Sequence, residues 1–457
     1  MAPTAAASPQ RPRLCVLTDI GGDPDDHQSL IRLVTYTNAF EIEGLIAAAL
    51  GTPKIRSGPK ADAIMPRRLH SLFVLFLVAV FGACSSRALA QKPLSPRIDY
   101  VVPLPDQPQA QDPATIWYDD FDGPAKAYAE GDSPLDGTVA FGGAGKSMLC
   151  LYEKGKQGVG NRKVFFGDSP AYPNKAVRRG EKFDEVYWRI YVKHQAGWTG
   201  APAKMSRATS MASANWSQAM IAHVWSGGGD SLTLDPVRGV VDGKVVTTRY
   251  NDFEHMKWLG NKPVSAFPIH ATEESGTWVL VEARAKLNTP GQSDGINQLW
   301  IDGRLECERR NLDFRGSYTA HAINAVFLEA YWNDGSPVTQ SRWYDNFVIS
   351  TQPIGPVVCP ARPTVVKTPF RGPGEPGAWE VEAAEDTEGK EVVYRSKPVA
   401  ASSARLVIAP DQGTFVGHLV GADALASGKT YYLRVRQSAA DGTPSDWSRW
   451  HQGFRVQ

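Results

Sequence analysis

Through the middle of the chain, apolar and polar residues alternate instead of recurring every three or four positions. From Phe183 to Lys193 one side of the alternation collects Val186, Trp188, Ile190 and Val192. The other collects Phe183, Glu185, Tyr187, Arg189, Tyr191 and Lys193. A period of two predicts a half-buried strand whose first set faces a core. The second set is aromatic and charged at once, which reads as a surface made to hold a ligand. Trp278 to Leu287 repeats the logic, with Val279, Val281, Ala283, Ala285 and Leu287 opposing Glu282, Arg284 and Lys286. Further strands are predicted over 296–301, closed by an Asp302-Gly303 hairpin turn, and over 325–332 and 342–350. Helical runs are few between residues 116 and 356, so this stretch has the pattern of a large two-sheet antiparallel sandwich or jelly roll.

The flanks read differently. Leu14 to Leu17 is a short apolar strand followed by Asp19, Asp25 and Asp26, an amphipathic helix over 28–37 and a second apolar run over 42–49. Residues 65–90 hold a basic start, an apolar core from Ser71 to Ala83 and small residues ending in Ala88-Leu89-Ala90, the pattern of a secretory signal peptide. That core is too short for a spanning helix of ~20 residues. Cys84 follows Phe81-Gly82-Ala83, a loose lipobox that would offer a lipid anchor. Residues 91–115 are rich in Pro and Gln and read as a linker, and 357–457 as a second, smaller set of short strands. The expected setting is bacterial and exported: secreted, periplasmic or on the outer surface.

Charge and composition narrow the function classes. Lys and Arg number 49 against 48 Asp and Glu, a net charge of +1, so there is no global electrostatic reason to bind nucleic acid. Five cysteines in 457 residues form neither a disulfide scaffold nor a zinc-spaced cluster. The 225–230 loop, Trp-Ser-Gly-Gly-Gly-Asp, lacks phosphate-loop features, and no organic cofactor is expected. A monomer is expected.

The central text resembles the concanavalin A-like lectin/glucanase superfamily, within it the jelly rolls near glucuronan and alginate lyases. The matching residues are Trp117 to Gly123, Glu185 to Lys193, Trp278 to Arg284 with Asn288, Leu299 to Gly303 and Trp343 to Phe347. The resemblance implies a structural calcium beside the first and last strands, with Asp119, Asp122 and Asp345 as its ligands. Turn capping is the other reading of those aspartates. Residues 14–56 resemble the truncated start of a nucleoside hydrolase-like domain, with Gly21 where that family usually has another aspartate. After Pro360, Leu425 with Tyr431 and the Trp447-Ser448-Arg449-Trp450 run resemble a fibronectin type III-like module, with Arg434 and Arg436 as stacking partners for the tryptophans. The whole is expected to be all-β, a jelly roll plus a small sandwich, preceded by a short α/β fragment.

Candidate chemistry follows from what is missing and what is present. Glycoside hydrolysis needs two carboxyl groups in register, yet Glu185, Glu282 and Glu329 stand on separate strands, which puts a hydrolase third among the readings. β-Elimination from a uronic acid polymer needs a group to neutralise the carboxylate, a base and an acid. For these roles the chain offers Gln218, Lys204 or Arg207 as neutraliser, His223 or Tyr331 as base, and Tyr191 or Tyr331 as acid. Glu185, Tyr187, Arg189, Lys193, Arg284 and Trp332 would bind the substrate, an acidic polysaccharide. A non-catalytic lectin-like or adhesion protein is the second reading, in which His223 is a core residue, the cations a solvated face and Tyr331 and Trp332 ordinary packing. Strict alternation sets Gln218 and His223 on opposite faces, so both act together only across a bulge.

Overall fold

The computed structural model describes residues 13–18, 41–47 and 92–457 apart from 132, 227 and 228. Two compact units, 1–87 and 88–457, make up the chain. In the first, Arg13–Thr18 pairs in parallel with Glu41–Ala47, the arrangement a strand–helix–strand unit requires. Asp19, Asp25 and Asp26, the 28–37 helix, the 65–90 segment and Cys84 lie outside the described residues. Among the described residues no helix is long and apolar enough to cross a membrane.

The second unit is built from strands with four short 3₁₀ turns in its central part and one more near its end. Its centre is a two-sheet jelly roll. One sheet runs, in spatial order, Lys257–Trp258, Leu232–Arg238, Gln218–Ser226, Lys204–Met211, Ala325–Tyr331, Gly158–Phe165 and Glu130–Gly131. The facing sheet runs Arg304–Leu312, Gly295–Ile301, Trp278–Lys286, Glu185–His194, Gln340–Ser350, Ser147–Tyr152 and Leu135–Asp136, with Thr115–Asp119 also paired to Gln340–Ser350. The predicted inward set behaves as alternation demands: Val186, Trp188, Ile190 and Val192 pack against Met205, Ala208, Met220, Ala222, Val326 and Leu328 of the opposite sheet. Asp302 and Gly303 both adopt positive φ, 47° and 78°, as a two-residue hairpin loop of the primed type needs.

Residues 357–457 form a smaller β-sandwich. Its large sheet orders Val358–Cys359, His451–Val456, Thr430–Ala439, Pro376–Ala384, Val392–Ser396 and Gly413–Phe415. The Tyr431 hydroxyl, from a buried side chain, accepts the N–H of Ala426 at 2.9 Å. Arg434 lies 4.7 Å from the Trp447 ring and 4.8 Å from the Trp450 ring, and Arg436 stacks on Trp447 at 4.7 Å.

Two expectations are corrected here. The 91–115 segment is not a plain linker, because Ile98–Val101 pairs antiparallel with Thr364–Lys367 and completes the small sheet of the C-terminal sandwich. Its Pro- and Gln-rich surroundings conceal four residues whose partner stands some 260 positions away. The reverse side of Phe183 to Lys193 is also not an open cradle. Tyr191 is fully buried, its ring 4.0 Å from that of Phe141 and its hydroxyl accepting the Val357 N–H at 3.1 Å. Arg189, equally buried, donates to the Gly355 carbonyl, while Glu282 accepts the N–H groups of Ile354 and Gly355. The chain leaving the jelly roll and the C-terminal sandwich cover this face.

Four buried histidines give the fold a pH signature. His194, His223, His270 and His451 are all held below the ordinary imidazole value, chiefly by burial, His270 at about 3. Unfolded, each takes up a proton below pH ~6.5, and folded it does not, so the stability they share is complete above that pH and drains away as pH falls beneath it. Thermal melting from pH 8 to 5 should show the midpoint falling steadily below about 6.5; a flat profile would contradict their neutral burial.

Candidate functional site

The open face is the outer side of the seven-stranded sheet. A cavity of about 440 Å³ there is lined by Lys204, Glu329 and Tyr331 on adjacent strands, by Lys163 and neighbours on the next, and by Tyr250 and Asn251 from the loop that folds back over the sheet. Lys204 and Tyr331 face each other across the strand pairing. Register shifts at Lys204/Ser206 and at Ala330/Tyr331 flank that pair, so two bulges aim these side chains.

The floor is a closed polar network. Arg207, buried completely, grips Glu329 with two hydrogen bonds of 2.8 Å and donates a third, 2.6 Å, to the Asn251 side-chain oxygen. The Tyr250 hydroxyl donates to Glu329 at 3.1 Å. Burial pushes the Glu329 carboxyl up, but Arg207, Lys204 and Tyr250 outweigh it and leave the group below the ordinary carboxylate range. Burial and then the same carboxylate hold Tyr250 well above the usual phenol value, Arg207 opposing, so this hydroxyl keeps its proton. Asn251 adopts φ of 55° and anchors the loop through its N–H to the Gln218 side-chain oxygen at 2.8 Å.

Lys204 is the exception in this network. Its ammonium lies 4.6 Å from the Tyr331 ring centre and 5.9 Å from that of Trp225 and makes no ion pair among the described residues. Burial lowers its pKa from the ordinary lysine value. The other cations here are matched: Arg207 by Glu329, Lys163 by Glu130 and Lys262 by Asp235.

Of the six residues assigned to catalysis from sequence, five share this face. Gln218 and His223 do so because a bulge at Ala219 sets both Gln218 and Met220 against consecutive residues of the neighbouring strand. Sharing a face is not the same as being available. His223 is sealed beneath Trp225, 3.8 Å away, with Phe253 and Trp258 beyond, and its Nδ1 lies 2.7 Å from the Asp235 carbonyl oxygen. Gln218 is spent on Thr209 and Asn251, and Arg207 on Glu329. Tyr191 belongs to the covered face and never meets Tyr331.

The residues assigned to substrate binding fall elsewhere. Glu185, Tyr187 and Arg284 form their own hydrogen-bonded set on the eight-stranded sheet, and Lys193 holds both oxygens of Asp99 at 2.8 Å. Trp332 points into the core against Trp198 and Tyr152, because it follows Tyr331 by one and so faces the other way. Sequence reasoning missed Tyr250, Asn251 and Lys163. The turn-rich text around Tyr250 was the available signal, but only the long-range ties to Gln218 and Arg207 give it a place.

The three aspartates named for calcium are each hydrogen-bonded within the protein. Asp119 accepts from Phe121 N–H and the Tyr128 hydroxyl, Asp122 from Lys146 N–H, and Asp345 from the N–H groups of Phe141 and Asn346. Burial raises Asp345 well above the carboxylate range, the neighbouring Asp122 and Asp120 adding to it against the N–H groups of Phe141 and Asn346. Among the described residues no three His, Cys, Asp or Glu side chains converge to hold a metal ion.

Residues 13–67 match the family model described as "Cellulose-binding Sde182, nucleoside hydrolase-like domain". No curated protein sequence matches the chain. Among solved structures it is similar to the endo-beta-1,4-glucuronan lyase of the fungus Trichoderma reesei, at 17% identity over 52% of this chain and 96% of that one, with a TM-score of 0.35. It is also similar to the marine PL-14 alginate lyase of Aplysia kurodai, at 13% identity over 52% and 99%, TM-score 0.36. An alginate lyase from Chlorella virus aligns at 14% identity over 48% and 89%, TM-score 0.33.

Proposed function

We propose that the protein is an exported carbohydrate-active protein whose groove takes an acidic polysaccharide and cleaves it by β-elimination. Lys204 carries the reading. It is a partly desolvated ammonium without an acid of its own, in a cavity whose remaining charges cancel. Such a group wants a carboxylate from outside, and its attraction is strengthened by the low local dielectric. The match of residues 13–67 to a family described as cellulose-binding is in keeping with a glycan setting.

In this reading Lys204 meets the uronate carboxylate and so acidifies the proton on the neighbouring ring carbon. That C–H bond breaks toward a base, its electrons form the new C=C bond, and the bond to the leaving glycosidic oxygen breaks as that oxygen gains a proton. Tyr331 is the cavity hydroxyl that would take that proton and return it to the leaving oxygen, while Tyr250, its own proton held on Glu329, serves as wall. A binding-only protein is the second reading. It is favoured by the sealing of His223 and by the engagement of Tyr250 with Glu329, which leave few groups free for proton transfer.

The two part on one assay. Incubation with alginate and glucuronan should generate the ultraviolet absorbance of an unsaturated uronate, falling roughly 10²–10⁴-fold in Tyr331→Phe if that hydroxyl carries the proton. Lys204→Ala should weaken binding to either polymer about 10–100-fold, the worth of one hydrogen bond to a charged group. Flat traces with retained pull-down would leave the binding reading; no retention on either polymer would remove both.

A further inference from the structure

We propose that Arg342, on the strand behind the groove, is the positioning residue for the Lys204–Tyr331 pair; this rests on the acidic-glycan reading of that groove. Arg342 belongs to the eight-stranded sheet, yet its guanidinium crosses the sandwich and donates from Nη2 to the carbonyl oxygens of Lys204, at 3.2 Å, and Glu329, at 3.0 Å. The Tyr344 hydroxyl donates to the same Glu329 oxygen at 3.0 Å.

These are not arbitrary carbonyls. They lie beside the two register shifts that turn Lys204 and Tyr331 toward each other. A bulge takes backbone groups out of the ladder, and a buried carbonyl left without a donor costs free energy. Arg342 and Tyr344 supply those donors from the far side of the core, which holds the bulged backbone in one arrangement.

The choice of arginine is costly in itself. Arg342 is 0% exposed and makes no ion pair among the described residues. Its cross-strand neighbours are His194 and Cys150, and its charge rests against the rings of Tyr344 at 4.8 Å and Tyr152 at 5.5 Å. Nε and Nη1 meet no acceptor among the described residues. A buried cation with no carboxylate beside it among the described residues is hard to account for by packing alone, since an apolar side chain of similar volume fills such a place at lower cost. What an apolar residue cannot do is reach two strands of the opposite sheet with one planar donor group. Its position also sets a second positive charge beneath the one cation of the groove that lacks a partner.

The test compares the full-length protein with Arg342→Met, Tyr344→Phe and, as a control, Tyr152→Phe, which touches the same guanidinium but neither carbonyl. Amide hydrogen exchange needs no glycan: Arg342→Met should speed exchange at residues 203–206 and 329–332 at least tenfold and leave the distant strands unchanged. Binding of an alginate oligomer should weaken about tenfold, with kcat falling as well as KM rising because Tyr331 moves with Lys204. Tyr152→Phe should do neither. If Arg342→Met does not fold, Tyr344→Phe must show faster exchange at 329–332. Unchanged exchange there, or an equal effect in Tyr152→Phe, would overturn the inference. Should the parent protein ignore every acidic glycan, the glycan reading fails while the exchange result still decides what Arg342 does.

Discussion

Replacing Ile98 by alanine will cost about 2–5 kcal/mol, replacing Val101 will cost less because less volume is removed, and deleting residues 92–101 will cost the C-terminal sandwich its fold. Both side chains are buried, in a cluster that joins Tyr191, Trp278 and Leu280 of the jelly roll to Val365, Leu406, Val381 and Tyr431 of the sandwich. The strand also carries the polar ties of the seam. Arg97 holds Glu274 through two hydrogen bonds, of 3.0 and 2.5 Å, Asp99 takes Lys193, and the Ile98 N–H donates to His451 Nε2 at 2.8 Å. Removing the segment exposes apolar surface on both partners, strands Lys193 without its counter-charge and leaves Glu274 only the more distant Arg449, at 3.7 Å. Urea unfolding followed through the buried Trp379 should give a single transition for the parent protein and an early separate one for the deletion. A single transition at the parent midpoint in the deletion would show that the strand is ornamental.

That strand marks a boundary of what the sequence reveals. Alternation located the strands and the inner face correctly, because Val186, Trp188, Ile190 and Val192 have only one place to go. It said nothing about what covers the reverse. The sign was nevertheless present: Trp278 and Leu280 are apolar residues on the side opposite Val279 and Val281, and a strand apolar on both sides is buried on both sides. Glu282, Arg284 and Lys286 continue the same side with charge, so only the first half of that side carries the apolar signal.

The groove shows the complementary case. Lys204, Arg207, Gln218 and Tyr331 were legible as polar residues on strands otherwise built for a core, and they do gather on one face. Which of them is free was not legible, since that depends on partners such as Glu329 and Asn251, 122 and 44 positions from Arg207. Bulges are equally invisible to a period-two count, although one at Ala219 is the reason Gln218 and His223 lie on the same side.

The second large effect lies in the Arg207–Glu329 pair. Both groups are buried, with side-chain exposures of 0% and 9%, and each satisfies the other in a two-bond geometry. Glu329→Leu leaves a guanidinium charged in the interior with one acceptor, Asn251, and should cost about 3–5 kcal/mol. Joining it to Arg207→Met removes the stranded charge and should restore most of that loss, because two well-packed apolar residues do not bear the desolvation penalty of two ions. The sign with pH is fixed by the carboxyl. Its folded value lies below the ordinary one, so the stabilisation is complete above about pH 4.5 and is lost as pH falls through the folded value. Denaturant midpoints measured from pH 6 to 3 should therefore fall less steeply in the double variant than in the parent. The double variant also separates stability from site: with Arg207 and Glu329 gone, the Asn251 side chain and the Tyr250 hydroxyl lose their partners and only the Asn251 N–H still ties the loop to Gln218, so a protein that folds well should still bind acidic glycan poorly. Full binding by that variant would mean that the loop wall contributes nothing and that Lys204 alone defines the groove.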